Sequence, residues 1–412
     1  MSQFNLTEQL KSATYRENPH DTLEAMRLNH PRYLQTYENG ARSWFFTTYE
    51  DVSLVLKDAR FIKEWRTLLP EEERLFNEQR EPAIFQMFQK WMLFRDPPAH
   101  TRLRGLVNKA FTPRMIECLR PRIEAIAQSV VAPLREKDRF DFVAEYAFPI
   151  PVAVIAEMLG VPTEDRDLFR EWSTVLAYFI DLSDASEEEL LRGSAVAQDM
   201  MNYFYDLLQA RKSAPRDDLM SAMLAADERG DRLSEDELVA TCILILFAGH
   251  ETTVNLISNA VYLLLREPDV RQDLLRNKTV YPTAVDEFLR FESPVQLTSR
   301  FAAEDLWIKD AQILRGDEIN VSLAAANRDP AQFINPNAID LRRSPNRHLA
   351  FATGAHFCIG APLARAEGEI ALRVLFEEFD KLERVLDRMD EKVCWRDSAV
   401  FRGPSTLPLV IR

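Results

Sequence analysis

A single cysteine lies between a glycine-punctuated stretch and a helical stretch late in the sequence. The segment reads FATGAHFCIGAPLARAEGEIAL, in which Gly354 and Gly360 flank Cys358 and Pro362 follows. Proline is favoured in the first turn of a helix, so Cys358 is predicted to lie in a loop just before a helix N-terminus. The positive end of the helix dipole favours a thiolate there. A ligating thiolate facing a flat, bulky ligand is one interpretation, and an inert buried thiol is the other.

A second group of reactive side chains interrupts a long apolar segment. The sequence AGHETT places Glu251 and Thr252 between LVATCILILF and VNLISNAVYLLLREP. Gly249 in a helix interior costs about 1 kcal/mol relative to alanine, and a threonine there tends to bond back to a carbonyl, so a local groove is expected. The alternative is a buried polar cluster satisfied by neighbouring chain. The zinc-protease pattern H-E-x-x-H is excluded, because its fifth position is Val254.

A third candidate is the pair of Glu287 and Arg290 in YPTAVDEFLRFESP. Their i, i+3 spacing puts both side chains on one face of a helix, close enough to pair. An ordinary surface pair would have the same spacing and contribute little stability.

The elements that carry these residues are predicted to be mostly helical. The apolar segment around Glu251 begins with a capping box of Ser234 and Glu237 and ends at Pro268, which predicts a buried helix of about 33 residues and about 50 Å. After Pro294 the apolar pieces are shorter and separated by turn residues, which indicates a minor β portion. No boundary is marked, so residues 1–412 are predicted to form a single domain.

Composition narrows the classes of partner. A net charge of -14 disfavours nucleic acid, because neutralising phosphates requires clustered Lys and Arg. The four cysteines are scattered, which fits a reducing compartment. The N-terminus is polar and has no apolar stretch of signal-peptide or membrane-span length, so a cytoplasmic protein with no membrane anchor is expected.

Five motifs together resemble the cytochrome P450 family, specifically its soluble bacterial haem-thiolate monooxygenases. FATGAHFCIG is similar to the haem-ligand loop F-G-x-G-x-H-x-C-x-G, AGHETT to the oxygen-groove motif, and EFLR to E-x-x-R. FRDPPAHTRLR is similar to the haem-facing H-x-x-x-R segment, and AANRDP with PNAIDLRRSPNRHLAF is typical of bacterial members. The motifs occur in the family's order. One departure is Ala352, where the family usually has glycine.

The resemblance implies the cytochrome P450 fold, a large helical domain with a small β-sheet region, and a haem b cofactor, iron protoporphyrin IX. It implies Cys358 as the axial iron ligand, with Phe351 and Gly360 beside it. It implies a set of cationic partners for the haem propionates: His100, Arg104, Arg300 and His356. Glu287 and Arg290 become a structural network completed by Arg343, with Arg342 as the competing third member.

The implied reaction inserts one oxygen atom of dioxygen into a C–H bond of a hydrophobic small molecule. A thiolate ligand favours O–O cleavage, and Glu251 and Thr252 are the residues expected to deliver protons. The family's pocket positions fall on seven apolar residues: Phe85, Phe88, Leu244, Phe247, Val295, Leu297 and Phe401. Trp172 or Phe179 is expected from a lid region.

Electrons are expected from NAD(P)H through an external reductase and a ferredoxin or flavodoxin, because the sequence has no nucleotide fingerprint and no iron–sulfur cysteine set. We expect a local basic face for that partner from among seven residues, Arg102, Lys109, Arg114, Arg342, Arg343, Arg347 and Arg365. Two alternatives remain. A peroxide-dependent haem-thiolate peroxygenase would not need Glu251 and Thr252, and a haem sensor or carrier would leave the polar groove without a purpose.

Overall fold

The computed structural model describes residues 6–181, 185–227, 230–379, 382–384 and 393–411. The described chain is mainly helical with small sheets, as the sequence predicts. The first nine α-helices are α1 (Leu6–Leu10), α2 (Ala13–Glu17), α3 (Pro19–Asn29), α4 (Tyr49–Lys57), α5 (Glu71–Arg80), α6 (Ala83–Gln89), α7 (Ala99–Ala110), α8 (Pro113–Val131) and α9 (Pro149–Leu159). The rest are α10 (Arg166–Ile180), α11 (Glu187–Ser213), α12 (Leu219–Ala225), α13 (Glu235–Arg266), α14 (Pro268–Arg276), α15 (Tyr281–Phe291), α16 (Leu323–Ala326) and α17 (Ala361–Glu378).

The strands are short. They are β1 (Arg32–Thr36), β2 (Arg42–Phe46), β3 (Phe61–Ile62), β4 (Arg139–Asp141), β5 (Leu297–Ala302), β6 (Leu306–Ile308), β7 (Ala311–Ile313), β8 (Glu318–Ser322), β9 (Leu382–Arg384) and β10 (Pro408–Ile411). Four of them lie in the order β1-β2-β8-β5, where β2 and β8 are parallel and the other two pairings are antiparallel. A second sheet has the order β4-β10-β9, and β6 pairs with β7 as a hairpin.

The chain divides into two compact units. Unit 1 contains residues 1–59, 118–151 and 252–412, and unit 2 contains residues 60–117 and 152–251. Both sheets belong to the part of the chain in unit 1. The single domain expected from the sequence stays a prediction.

Helix α13 matches its predicted limits closely. The Ser234 backbone N–H donates to Glu237 Oε2 at 2.9 Å and the Glu237 N–H to Ser234 Oγ at 3.2 Å, which is the expected capping box. The helix ends at Arg266, ahead of Pro268. It is long and apolar enough to cross a membrane, but 83% of its most apolar window is buried inside the protein. It is a core helix.

Helices α13, α15 and α17 pack closely in unit 1 because a glycine stands at their contact. A Cβ added to Gly368 of α17 would lie 3.1 Å from Leu256 of α13 and 3.3 Å from Val285 of α15. The apolar faces of α15 and α17 are fully buried, with Val285, Phe288 and Leu372 as examples. This packing fixes α17, and the loop that leads into it, against the helix that carries Thr252.

Candidate active site

The loop before α17 holds Cys358 in a defined turn. A 3₁₀ turn at Gly354–His356 leads into it, and the Cys358 N–H donates to the Phe351 carbonyl at 3.0 Å. Gly360 is the N-cap residue of α17, with proline in the first turn. Cys358 therefore lies two residues before a helix N-terminus, as predicted, where the dipole favours the thiolate.

Glycine is required at one position of this loop and leaves space at another. Gly354 has φ +76°, and a Cβ there would lie 2.4 Å from the Leu56 carbonyl oxygen of α4. A Cβ on Gly360 would meet only Cys358 Sγ, at 3.8 Å. Ala352 also lies in the left-handed region, with φ +55°. The family's usual glycine at that position is thus explained by the backbone, and alanine is strained there.

Charged side chains surround Phe351 on the same loop. The Arg365 guanidinium lies 4.7 Å from the Phe351 ring centroid and its Nε is 2.7 Å from Asp286 Oδ1. His348 Nε2 is 3.1 Å from the same oxygen. Burial alone would raise the pKa of Asp286, but the hydrogen bonds from His348 and Arg365 outweigh it and the pKa is lowered. These contacts anchor the cysteine loop to α15.

The predicted E-x-x-R pair is fully buried rather than on the surface. Arg290 Nη2 and Nε each lie 2.8 Å from a Glu287 oxygen. Arg343 Nε lies 3.0 Å from Glu287 Oε2, whereas Arg342 pairs with Asp273 on the surface. The third member of the network is therefore Arg343.

Carbonyl groups complete this network. Arg290 donates to the carbonyl oxygens of Asn327, Pro336 and Ala338, at 2.8 to 3.1 Å. The backbone N–H of Asp340 donates to Glu287 Oε1 at 2.9 Å. A buried ion pair needs such additional bonds to offset its desolvation, and here they tie α15 to residues 327–346.

The polar insert of α13 is buried within a continuous helix. Glu251 is 5% exposed and Thr253 is 2% exposed. His250 Nδ1 lies 2.7 Å from the Leu246 carbonyl oxygen, and a Cβ on Gly249 would lie 2.5 Å from Ile155. Gly249 is therefore explained by the close approach of α9 in unit 2. A buried carboxyl next to a threonine hydroxyl is a suitable pair for moving protons.

The predicted pocket residues of unit 2 form one aromatic cluster. Phe85 packs edge-on against Phe88 and against Phe179, at centroid distances of 6.2 and 5.8 Å. Trp91 packs against both Phe88 and Phe247. On α13, Leu244 lies two turns before Glu251 and Phe247 lies one turn before it. Trp91, fully buried, was not predicted from the sequence; its only signal is its place in an aromatic-rich stretch.

The other pocket residues belong to unit 1. Val295 and Phe401 form an isolated antiparallel bridge, and Leu297 begins β5. Of the two lid candidates, Phe179 contacts Phe85, whereas Trp172 packs against Phe169 and Tyr203.

Comparison with known proteins assigns the family. The family model "Cytochrome P450" matches residues 65–400. The chain belongs to the cytochrome P450 family. It is 42% identical over 98% of its length to the vitamin D(3) 25-hydroxylase of Pseudonocardia autotrophica, of which it covers 97%.

Two solved P450 structures extend the likeness to the fold. One is P450BioI in complex with an acyl carrier protein ligated to hexadec-9Z-enoic acid, with TM-score 0.88, 38% identity, and 97% of this chain and 99% of that chain covered. The other is myxobacterial CYP267B1 in complex with myristic acid, with TM-score 0.88, 38% identity, and 98% and 99% covered. The P450 fold and a haem-dependent monooxygenase activity follow.

The residues present fit a haem group. In unit 1, Arg300 is 2% exposed, and Cys358, Phe351 and His356 share one loop. In unit 2, α7 carries His100, 3% exposed, and Arg104 one turn later. Burying such cationic donors is favourable when an anion accompanies them, and the P450 haem supplies a soft metal and two carboxylates.

The seven basic residues proposed to bind the P450's redox partner differ in their contacts within the protein. Four of the seven form ion pairs with acidic side chains: Arg102, Arg342, Arg343 and Arg365. Lys109 Nζ donates to the Asp227 carbonyl at 2.6 Å, and Arg114 and Arg347 are exposed.

Proposed function

We propose that this P450 hydroxylates a C–H bond of a hydrophobic small molecule, using dioxygen and electrons passed from NAD(P)H through a reductase and a ferredoxin or flavodoxin. The observation that carries the proposal is the pairing of two features. A cysteine stands at the N-terminus of α17, and a buried carboxyl, Glu251, followed by the half-buried hydroxyl of Thr252, interrupts the apolar core helix α13.

Haem b would be held by Cys358 through its thiolate and by His100, Arg104, Arg300 and His356 at its carboxylates. When bound, it supplies the oxygen-activating chemistry, for which the thiolate ligand is suited. The chain's own residues would bind and orient this group: Phe351 and Gly360 would leave the sulfur accessible to a flat ligand, and the Glu287–Arg290–Arg343 network joins α15 to residues 340–343.

Proton delivery would fall to Glu251 and Thr252. Phe247 and Val254, which precede and follow this part of α13, are buried apolar residues. We therefore expect proton transfer here to depend on polar side chains of the helix. The Thr252 hydroxyl would hold a proton at Oγ, and the Glu251 carboxyl would resupply it. This role is what favours an oxygen-activating enzyme over a peroxide-driven enzyme or a haem carrier.

The substrate is proposed to be apolar and extended. The seven pocket positions are aliphatic or aromatic side chains. The relatives named above act on vitamin D(3) or were crystallised with long acyl chains. The cytoplasmic location expected from the sequence would suit such an enzyme.

Lys109, Arg114 and Arg347 are the proposed contacts for the electron-donor protein. Arg114 and Arg347 are exposed, so their charge is available to an acidic surface, whereas Lys109 is also attracted to the Asp227 carboxylate.

The test is turnover of a hydrophobic compound selected by its blue shift of the Soret band. With NADPH and a surrogate ferredoxin system, the wild type should consume NADPH only when substrate is present and yield a product heavier by one oxygen. Thr252→Ala should keep binding but divert NADPH to peroxide. Turnover with hydrogen peroxide alone, and none with the reductase system, would instead establish the peroxygenase alternative.

A further inference from the structure

We propose that Asn259 and Arg402 are positioning residues that set where the pocket wall formed by Val295 and Phe401 stands relative to Thr252, and thereby which substrate carbon is oxidised. The inference rests on the proposed function and concerns residues of unit 1 outside the predicted site.

The wall is a short pairing of two segments. The Gln296 N–H donates to the Val400 carbonyl at 2.8 Å and the Arg402 N–H to the Pro294 carbonyl at 2.9 Å. These two bonds, with the bridge between Val295 and Phe401, are far fewer than an ordinary sheet has. The wall therefore depends on side chains for its position.

Helix α13 supplies the first anchor. Asn259 Nδ2 donates to the carbonyl oxygens of Arg402, at 2.9 Å, and Glu292, at 3.3 Å, so one amide joins the segments on both sides of the bridge. Asn255, one turn earlier, approaches Gly403 so closely that a Cβ there would lie 2.2 Å from Asn255 Oδ1. Asn255 and Asn259 therefore hold residues 402–403 against the part of α13 that follows Thr252.

A buried ion pair supplies the second anchor. Arg402 is 7% exposed and Glu292 is 4% exposed, and Arg402 Nε lies 2.6 Å from Glu292 Oε1. The same guanidinium donates to the Arg16 carbonyl at 2.7 Å and stacks 3.7 Å from the Trp395 ring centroid. His20 Nε2 lies 3.0 Å from Glu292 Oε2. The Arg402 guanidinium thus contacts Glu292, the Arg16 carbonyl and Trp395, and His20 holds the other oxygen of Glu292.

The charges within this cluster are balanced. Burial alone would raise the pKa of Glu292, but the charge of Arg402 and the contact with His20 outweigh it, and the pKa lies well below the usual range. Glu292 therefore stays ionised as the partner of Arg402. We call His20, Asn259, Glu292 and Arg402 the Arg402 clamp.

A small cleft borders the wall on the side of the clamp. Its volume is about 10 Å³, room for about one water molecule, and its lining includes Tyr15, Gln296, Phe401 and Arg402. The space behind Phe401 is therefore filled mainly by side chains, including that of Arg402. Without the clamp these side chains can repack, and the Phe401 ring can shift with them.

The test compares holoenzymes of wild type, Asn259→Ala and the matched control Ser258→Ala. Ser258 is the neighbouring fully buried polar residue of α13, and its Oγ has no hydrogen-bond partner among the described residues. Two readouts are independent of any substrate. They are hydrogen exchange of a peptide covering 400–403, and the ratio of dissociation constants for imidazole and 4-phenylimidazole.

We expect Asn259→Ala to exchange at residues 400–403 at least tenfold faster and to change the ligand ratio at least threefold. Ser258→Ala should match the wild type, and all three should keep the reduced carbon monoxide spectrum of a thiolate-ligated haem. Because a truncated buried amide could prevent folding, Arg402→Lys is the second variant. It keeps the charge but loses the reach to Arg16, and the same changes are expected.

Tetradecanoic acid is the probe for selectivity, because oxidation along its chain gives separable positional isomers. The clamp predicts a change in isomer ratio of at least threefold in Asn259→Ala. If the wild type does not oxidise this acid, the proposed substrate class is wrong. The hydrogen exchange and the ratio of dissociation constants would still test the Arg402 clamp. Exchange and ligand ratios unchanged in both Asn259→Ala and Arg402→Lys would overturn the inference.

Discussion

The conformation of the loop around Cys358 depends on the backbone angles of single residues. Gly354 and Ala352 both have positive φ, and at Gly354 an added Cβ would also meet the Leu56 carbonyl oxygen. The two positions therefore separate the strain of a left-handed backbone from the effect of a steric clash. Both effects act on the turn that holds the proposed iron ligand.

Gly354→Ala should destabilise the protein by about 3 kcal/mol, adding a clash with the Leu56 carbonyl to the backbone penalty. Urea unfolding measures the loss. Gly316→Ala is the control, because Gly316 has φ +91° with nothing within 4 Å of an added Cβ. It should lose only about 1 kcal/mol. Equal losses for both variants would show that the contact with Leu56 is unimportant.

Ala352→Gly should stabilise the protein by about 1 kcal/mol, because it relieves an L-residue at φ +55° by more than the added freedom of the unfolded chain costs. The measurement is the urea midpoint. Ala364→Gly, in the interior of α17, is the opposite case and should destabilise by about 1 kcal/mol. A lower midpoint for Ala352→Gly would mean that its methyl group contributes packing that outweighs the strain.

Helices and loops are joined here by buried charged groups rather than by apolar contact alone. Glu287 of α15 accepts from Arg290, Arg343 and Asn346 and from the Asp340 N–H. One carboxylate thus joins α15 to the segment 340–346. Losing it leaves two arginines buried with their partner removed.

Glu287→Gln should cost about 3 to 5 kcal/mol, the usual penalty for removing one partner of a buried ion pair. We expect poor haem retention together with a lowered urea midpoint. Arg342→Ala removes an exposed partner of Asp273 and should cost no more than about 1 kcal/mol. If Glu287→Gln lowered the urea midpoint no more than Arg342→Ala does, the network of Glu287, Arg290 and Arg343 would not be important for stability.

Helix α3 also contacts a buried carboxylate, because its residue His20 lies beside Glu292. Burial lowers the pKa of His20, and Arg328 and Arg402 add to this, although Glu292 opposes it. The unfolded chain therefore binds more protons, and stability falls as the pH drops below about 6.5, the ordinary histidine pKa.

Unfolding at about pH 7.5 and about pH 5.5 tests this direction, since the two values bracket the histidine pKa. The wild type should be less stable at the lower pH, and His20→Gln should lose less stability between the two. His30→Gln, at the exposed end of α3, should follow the wild type. The assignment to His20 would be wrong if His20→Gln kept the full pH dependence.

Sequence reasoning located the elements with strong local signals and missed contacts between distant segments. The capping box and the proline of α13, and the glycine–proline entry to α17, are local and predicted both helices. Strand β2 pairs in parallel with β8 some 275 positions later in the chain, as the pair Ser43 and Glu318 shows, and nothing local indicates it. The burial of Arg290 and the Arg402 clamp likewise depend on partners supplied by other segments.

At the scale of the whole molecule, the net charge of -14 would repel the proposed acidic electron donor at long range. Its docking would therefore require local basic residues. Of the seven proposed, four are held in ion pairs, whereas Arg114 and Arg347 are exposed. We therefore expect association to depend on few residues and strongly on salt.

Arg114→Glu should slow reduction by an acidic ferredoxin about tenfold at low ionic strength and weaken its salt dependence, because steering falls with the local potential. Stopped-flow reduction in the presence of carbon monoxide measures the rate. Lys11→Glu makes the same change in net charge at an exposed site near α2 and should slow reduction far less. Equal slowing by both variants would show that only total charge matters, and unchanged rates in Arg114→Glu would place the docking surface elsewhere.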